Sequence, residues 1–78
     1  MLAEFDNVLS LSRREHEVMH CTSQGKTNSQ IAAELAVSTH AVKFHLASIY
    51  RKLGVANRTE ATAHYVAACA SSDHLGAS

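Results

Sequence analysis

The sequence predicts one compact all-α domain built from four helices. Its 78 residues include no proline, three glycines and only 5% aromatic residues, and Ala, Leu and Val supply most of the 46% that are hydrophobic. Such a composition favours helices, because strands are enriched in aromatic and β-branched residues. Helix-capping signals recur along the chain, and a chain of this length forms at most one domain.

A capping box marks the start of the first helix. Within residues 12–15 (SRRE), the Ser12 hydroxyl and the Glu15 carboxylate each satisfy a backbone amide that the helix leaves without a partner. We expect this helix to end at about Ser23 or Gln24, because Gly25 can adopt the left-handed conformation that stops a helix. Its inward side chains are expected to be Val18, Met19 and Thr22.

Similar signals predict the second and third helices. Thr27 and Gln30 form a second capping box, which opens a short helix. Ser38 can cap a third helix, and Gly54 is expected to end it at Leu53. The buried side of the second helix is expected to comprise Ile31, Ala32 and Leu35.

The fourth helix is predicted from Asn57, with Glu60 three positions later, and is expected to run to about Ala70. This segment is rich in alanine and apolar on more than one side. Because small residues permit close approach of two helices, a homodimer through the fourth helix is one interpretation. The other is that the helix closes the core of its own domain. The expected dimer contacts are Ala61, Tyr65 and Ala68.

The two ends of the chain lack strong helix signals. Residues 1–8 are predicted to be an N-terminal extension or linker and residues 71–78 a flexible tail, which leaves a domain at 9–70. Three apolar side chains near the start could still pack on the core: Phe5, Val8 and Leu9. No apolar run reaches the roughly 18 residues that span a bilayer, and no signal peptide is recognisable. The sequence therefore predicts a cytoplasmic protein with no membrane partner.

The third helix divides into two faces at 100° per residue. The core stripe is Val42, Leu46, Ile49 and Leu53. The opposite face is His40, Phe44, Ala47 and Arg51, with Lys43 and Ser48 at its flanks. An outward phenylalanine is either a single exposed apolar residue, which is common, or a side chain that contacts a thymine methyl in a DNA groove. The polar and basic neighbours favour the second interpretation.

Only residues 36–38 separate the second helix from the third. So short a connection makes the two helices cross steeply, which is helix-turn-helix geometry. We place this motif at about 27–47. The second helix then braces the third, at 39–53, whose outward face extends about 20 Å and can lie in a major groove.

Charge is segregated along the chain although its net value is zero. The segment 26–58 contains five Lys and Arg residues and one acidic residue, a net charge of +4, and the remainder therefore carries −4. Distribution matters more than the sum for binding a polyanion. A basic segment can also be a solvated surface, so charge alone leaves both interpretations open.

Several motifs together resemble the LuxR-type helix-turn-helix domain, also called the GerE-like or NarL/FixJ output domain. They are residues 11–18 (LSRREHEV), 25–32 (GKTNSQIA), 38–46 (STHAVKFHL), 52–55 (KLGV) and 57–61 (NRTEA). The resemblance covers roughly 9–70. It implies a four-helix domain that places its third helix in the major groove and often dimerises through the fourth.

The resemblance also implies roles for individual residues. Base contacts are expected from Lys43, Phe44 and Ala47, together with His40 on the same face. Phosphate contacts are expected from Lys26, Thr27, Asn28, Ser38, Thr39 and from Arg51 or Lys52. The acidic residue of the first helix, Glu15 or Glu17, is expected to hold Arg58, which makes all three structural.

Three positions depart from the family pattern. Ala47 stands where many members carry a polar or basic residue, so one base contact is missing or apolar. Ala41 replaces the usual threonine and removes a hydroxyl near the DNA backbone. Ala36 replaces the usual turn glycine, which costs about 1 kcal/mol if φ is positive there.

Residues 16–20 (HEVMH) match the zinc-protease pattern H-E-x-x-H, which places two imidazoles on one helix face. A catalytic zinc site also needs a third ligand and a substrate cleft, and Val18 and Met19 are required for the core. We therefore expect no metal, no cofactor and no enzymatic activity. A zinc hydrolase is the enzymatic alternative, which metal analysis would test.

The sequence thus predicts a sequence-specific transcription regulator, or its output domain, that binds double-stranded DNA as a homodimer on a partly palindromic site. RNA polymerase is a further candidate partner. One alternative is a promoter- and polymerase-binding module resembling region four of sigma factors. Another is a helical protein-interaction module without DNA affinity.

Overall fold

Four helices follow one another in a computed structural model that describes the backbone of residues 8–77 and the side chains of residues 8–70. They are α1 (Arg13–Ser23), α2 (Asn28–Leu35), α3 (Thr39–Leu53) and α4 (Arg58–Ala77). The predicted all-α class is confirmed. The N-terminal extension expected at 1–8 lies outside the described residues except for Val8.

The predicted starts of the first three helices are confirmed by their capping bonds. Ser12 Oγ accepts from the Glu15 amide at 3.1 Å, and the Glu15 carboxylate accepts from the Ser12 amide at 2.8 Å. Thr27 and Gln30 make the same reciprocal pair at 3.2 and 2.8 Å. Ser38 caps α3 by accepting from the third amide of that helix at 3.0 Å.

Left-handed residues follow the first three helices. Gly25 and Gly54 have φ of 82° and 70°, as expected for stops after α1 and α3. After α2 the same conformation falls on Ala36, with φ 58° and ψ 44°. An L-residue there is strained by about 1–2 kcal/mol, because its Cβ crowds the following carbonyl. The penalty anticipated for this alanine therefore applies.

The last helix begins where predicted but extends further. Asn57 Oδ1 accepts from the Glu60 amide at 2.9 Å, while the Glu60 carboxylate accepts from the Ala56 amide at 2.8 Å. The backbone stays helical to Ala77, so the predicted end near Ala70 is wrong by about two turns. No Gly or Pro stands between α4's start and residue 75 to stop it. The tail expected at 71–78 lies outside the described side chains.

The core gathers the apolar faces of all four helices around α3, which packs against each of the others. The predicted stripe of α3 is confirmed, since its four members are at most 5% exposed. Of the three apolar side chains near the start that could pack on the core, Val8 does so, whereas Leu9 is 61% exposed and Phe5 lies outside the described residues. The core residues are Val8, Leu11, Val18, Met19, Cys21, Ile31, Ala32, Val42, Leu46, Ile49, Leu53, Ala61, Tyr65 and Ala68. Burial of one side of α3 fixes which of its residues face solvent.

Candidate nucleic-acid interface

The outward face of α3 is the most distinctive surface of the domain, and we call it the reading face. It consists of His40, Lys43, Phe44, Ala47 and Arg51, all of which are exposed. These are the residues predicted to face away from the core. α3 contains no acidic residue, so nothing on this face repels a polyanion.

Phe44 is the most exposed large hydrophobic residue of the described chain, at 71%. The His45 ring lies beside it, with ring centroids 6.0 Å apart and planes 78° apart. This edge contact supports the ring from one side while its outer side faces solvent. A single exposed apolar side chain is common on protein surfaces, so the ring identifies an apolar group available for contact at the centre of this face.

Exposed hydroxyl groups surround the starts of α2 and α3. Thr27, Ser38 and Thr39 are exposed, and the first two are the capping residues of their helices. Free amides and the helix dipole make such N-termini favourable places for a phosphate. Two of the predicted phosphate sites therefore coincide with real helix starts, and the turn at 36–38 brings α2 and α3 together.

Lys26, also predicted to contact phosphate, already has an anionic partner. Its ammonium group pairs with the Glu34 carboxylate of α2. The hydrogen bond raises the pKa of Lys26 and lowers the pKa of Glu34. The buried Cys21 thiol donates to the same carboxylate at 3.4 Å. Sequence reasoning missed this cluster, which joins residues 13 positions apart.

Lys52 is likewise engaged within the domain. Its Nζ donates to Glu15 Oε1 at 2.8 Å, and Ser48 Oγ donates to Glu15 Oε2 at 2.7 Å. The Glu15 side chain is only 5% exposed, against 38% for Lys52. One buried carboxylate in α1 therefore holds two residues of α3, on the side that flanks the reading face.

The pKa of Glu15 reflects two opposing effects. Burial raises it, while hydrogen bonds from Lys52, the Ser12 amide and Ser48 lower it, with a net fall from 4.5 to about 2. The carboxylate is therefore charged at neutral pH despite its burial. A sequence signal for this role existed: Glu15 shares the inward spacing of Val18 and Thr22 on α1.

Arg58 makes different contacts from those predicted. Its guanidinium donates to Asn28 Oδ1 at 3.2 Å and to the backbone carbonyl oxygen of Lys26. The expected pairing of Arg58 with Glu15 or Glu17 is wrong, because Glu15 holds Lys52 and Glu17 pairs with a neighbouring arginine of α1. Arg58 instead ties the start of α4 to the α1–α2 connection.

The residues predicted to form a dimer contact through the fourth helix face inward. Ala61, Tyr65 and Ala68 are 0%, 8% and 3% exposed within the single domain. The prediction that these three residues contact a second copy is wrong, because they are already packed in the core of their own domain. Burial also raises the pKa of Tyr65 to about 12.

The two histidines of the zinc-like motif have other neighbours. The His16 ring lies 6.0 Å from the Tyr65 ring, and His20 Nε2 is 3.4 Å from the Gln24 amide nitrogen. Among the residues that the structure describes, no three potential ligands are grouped as a metal would need. His16 therefore packs against α4, and His20 contacts a residue just after the end of its own helix.

The closely connected α2–α3 pair, the buried core beneath it and the basic reading face define a helix-turn-helix domain of the DNA-binding type. The family model for bacterial regulatory proteins of the luxR family matches residues 9–65. The chain belongs to the luxR family, which confirms the resemblance recognised in the sequence.

Two relatives carry named functions. The chain is 45% identical over 65 residues to the probable transcriptional regulatory protein SgaR of Hyphomicrobium methylovorum, covering 83% of this chain and 31% of that protein. It is 46% identical over 50 residues to the transcriptional activator protein ExpR of Dickeya dadantii (strain 3937), covering 64% of this chain and 20% of that protein. The chain thus spans less than a third of either relative. Family and relatives together support DNA binding in transcription regulation.

No membrane-spanning helix is found in the described part of the chain, where every helix is too short or too polar to cross a bilayer.

Proposed function

We propose that this chain is the sequence-specific DNA-binding domain of a transcription regulator and inserts α3 into the major groove of double-stranded DNA. The observation that carries the proposal is the reading face, which is exposed, basic and free of acidic residues. The 15 residues of α3 extend about 22 Å, which suits a groove about 12 Å wide. The domain acts through binding and carries out no catalysis.

Base recognition is assigned to the reading face and phosphate binding to its surroundings. Lys43 can donate to guanine O6 and N7, and His40 can contact a base at the start of α3. Thr27, Ser38 and Thr39 suit phosphate oxygens, as does Arg51. Three further predicted phosphate contacts have partners within the domain and must share or exchange them on DNA: Lys26, Asn28 and Lys52.

The test is fluorescence anisotropy of labelled duplexes selected from a random pool, titrated at several salt concentrations. We expect affinity to fall steeply with salt, because phosphate contacts release counterions. Lys43→Ala should weaken the selected site by about 1–3 kcal/mol and relax the preference at one base pair. Arg13→Ala is the matched control, since Arg13 is an exposed cation on α1 and is not part of the reading face.

The results separate this proposal from its alternatives. Equal losses in the Lys43 and Arg13 variants would contradict a base contact. An absence of selected sequences at low salt would contradict DNA recognition and favour a protein-interaction module. Binding to promoter DNA only in the presence of RNA polymerase would favour a module that acts as region four of sigma factors does.

We further propose that two copies bind a partly palindromic site through the exposed side of α4. That side contains Ala63, Val66, Ala67 and Ala70, spaced at three, four and seven residues, which places them on one helix face. Val66 is 48% exposed. Small residues around it allow a close isologous contact, in which each copy presents the same patch.

Sedimentation on and off DNA tests the dimer. Val66→Glu should leave the domain folded and shift its complex with a palindromic site from two copies to one. Leu9→Glu is the control, because Leu9 is a comparably exposed hydrophobic residue, at 61%, outside α4. A two-copy complex that survives Val66→Glu would overturn this interface.

As an output domain, the chain would act in a response regulator or a quorum-sensing-type regulator and bring such a protein to its promoters, where RNA polymerase is a further candidate contact. The observation in favour is that the chain covers only 31% and 20% of its two named relatives. Expression of a reporter gene carrying the selected site, with and without Lys43→Ala, tests this role in a cell.

A further inference from the structure

We infer that Phe44 and Ala47 recognise the C5 methyl group of thymine, so that the domain distinguishes thymine from uracil in its DNA site. This inference rests on the proposed insertion of α3 into the major groove and specifies which chemical group on the bases the reading face contacts.

The first observation is an apolar patch at the centre of the reading face. Phe44 and Ala47 are both exposed and are three residues apart, so they lie on the same side of α3. Their rise along the helix is about 4.5 Å, close to the 3.4 Å between base pairs. The two side chains can therefore meet one base pair or two successive ones.

The second observation is the charge around the patch, which identifies the kind of partner. Lys43 and Arg51 border the two apolar residues, and no residue of α3 is acidic. A protein partner could bind equally well to a patch bordered by charges of both signs. A border that is entirely basic is complementary to a polyanion. An apolar patch within a cationic border fits a groove between two phosphate strands.

The chemistry of the groove then selects the ligand group. Base edges in the major groove offer hydrogen-bond donors and acceptors, and the thymine methyl is their apolar group. Neither Phe44 nor Ala47 can donate or accept a side-chain hydrogen bond. Contact with any polar base atom would desolvate it without compensation, while contact with a methyl removes apolar area from water on both partners.

The experiment replaces single thymines by deoxyuridine in the duplex selected by the protein. This substitution removes one methyl and leaves base pairing and backbone unchanged. We expect one or two positions at which wild-type affinity falls about fourfold, the value of one buried methyl-sized group. Phe44→Ala should remove the difference between thymine and uracil at the position that Phe44 contacts, whereas Phe44→Leu, which stays apolar, should retain most of it.

Lys43→Ala is the matched control, because it should weaken both duplexes by the same factor. Circular dichroism verifies that each variant is folded, which is expected because Phe44 is 71% exposed. Equal wild-type affinity for the thymine duplex and every uracil duplex would overturn the inference and leave the proposed function intact. The same holds if Phe44→Ala keeps the thymine preference of the wild type at every position. Failure to select any DNA would contradict the proposed function itself, and this inference with it.

Discussion

Glu15 and Lys52 join α1 to the C-terminal end of α3 through a 2.8 Å ion pair whose carboxylate is 5% exposed. The same carboxylate accepts from the Ser12 amide and from Ser48 Oγ. One side chain thus caps α1 and fixes the orientation of α3 against it. A buried charge is tolerated here because each of its oxygens has hydrogen-bond partners.

Glu15→Ala should destabilise the domain by about 2–3 kcal/mol. The change removes a capping acceptor and leaves two α3 donors without their partner, and bonds to a charged group contribute about 1.5–3 kcal/mol. Urea denaturation followed by circular dichroism measures the effect. Glu17→Ala is the control: its exposed pair with Arg14 at 3.2 Å should contribute below 1 kcal/mol. Equal losses would contradict the role given to Glu15.

Acid should remove the contribution of Glu15. Its pKa is about 2 in the folded domain, against 4.5 for the free group. The stabilisation is therefore complete above about pH 4.5 and is lost as the pH falls toward 2, by an amount on the order of 3 kcal/mol. Urea denaturation at a series of pH values should show a smaller decline for Glu15→Gln, which cannot titrate. Parallel declines would assign the acid sensitivity to other groups.

Ala36→Gly should stabilise the domain by about 1 kcal/mol. Ala36 is exposed with φ 58°, and glycine adopts this conformation without the Cβ crowding that alanine suffers. Ala33→Gly is the matched control, because Ala33 is exposed within α2 and should lose about 1 kcal/mol there. Thermal unfolding measures both. A lower melting temperature for Ala36→Gly would contradict the strain.

Substitutions of Arg58 and Arg51 should separate stability from DNA binding. Arg58→Ala removes the bonds to Asn28 and to the Lys26 carbonyl and should cost about 1–2 kcal/mol of folding free energy. Arg51→Ala, at an exposed position, should leave stability unchanged and reduce the salt-dependence slope by about 1. Urea denaturation and salt-dependent anisotropy measure the two effects. A loss of stability in Arg51→Ala together with a loss of DNA binding in a stable Arg58→Ala would contradict this assignment.

The sequence by itself determined the helices and the two faces of α3. Three helix starts could be predicted because a capping bond forms between residues close together in the chain. The capping residues are Ser12, Thr27 and Ser38. The stripe from Val42 to Leu53 follows from helical periodicity alone. These signals depend only on nearby residues, so they can be identified from the sequence before the fold is known.

The tertiary structure alone decided which charged groups meet and which side of α4 is buried. Sequence placed Glu15 or Glu17 against Arg58, but Glu15 meets Lys52, 37 positions away, because α3 packs over that end of α1. Alanines on several sides of α4 gave no unique inward direction, and packing placed Ala61 and Ala68 in the core. Which residues meet across the chain depends on how the helices cross. Helical periodicity does not specify that crossing geometry.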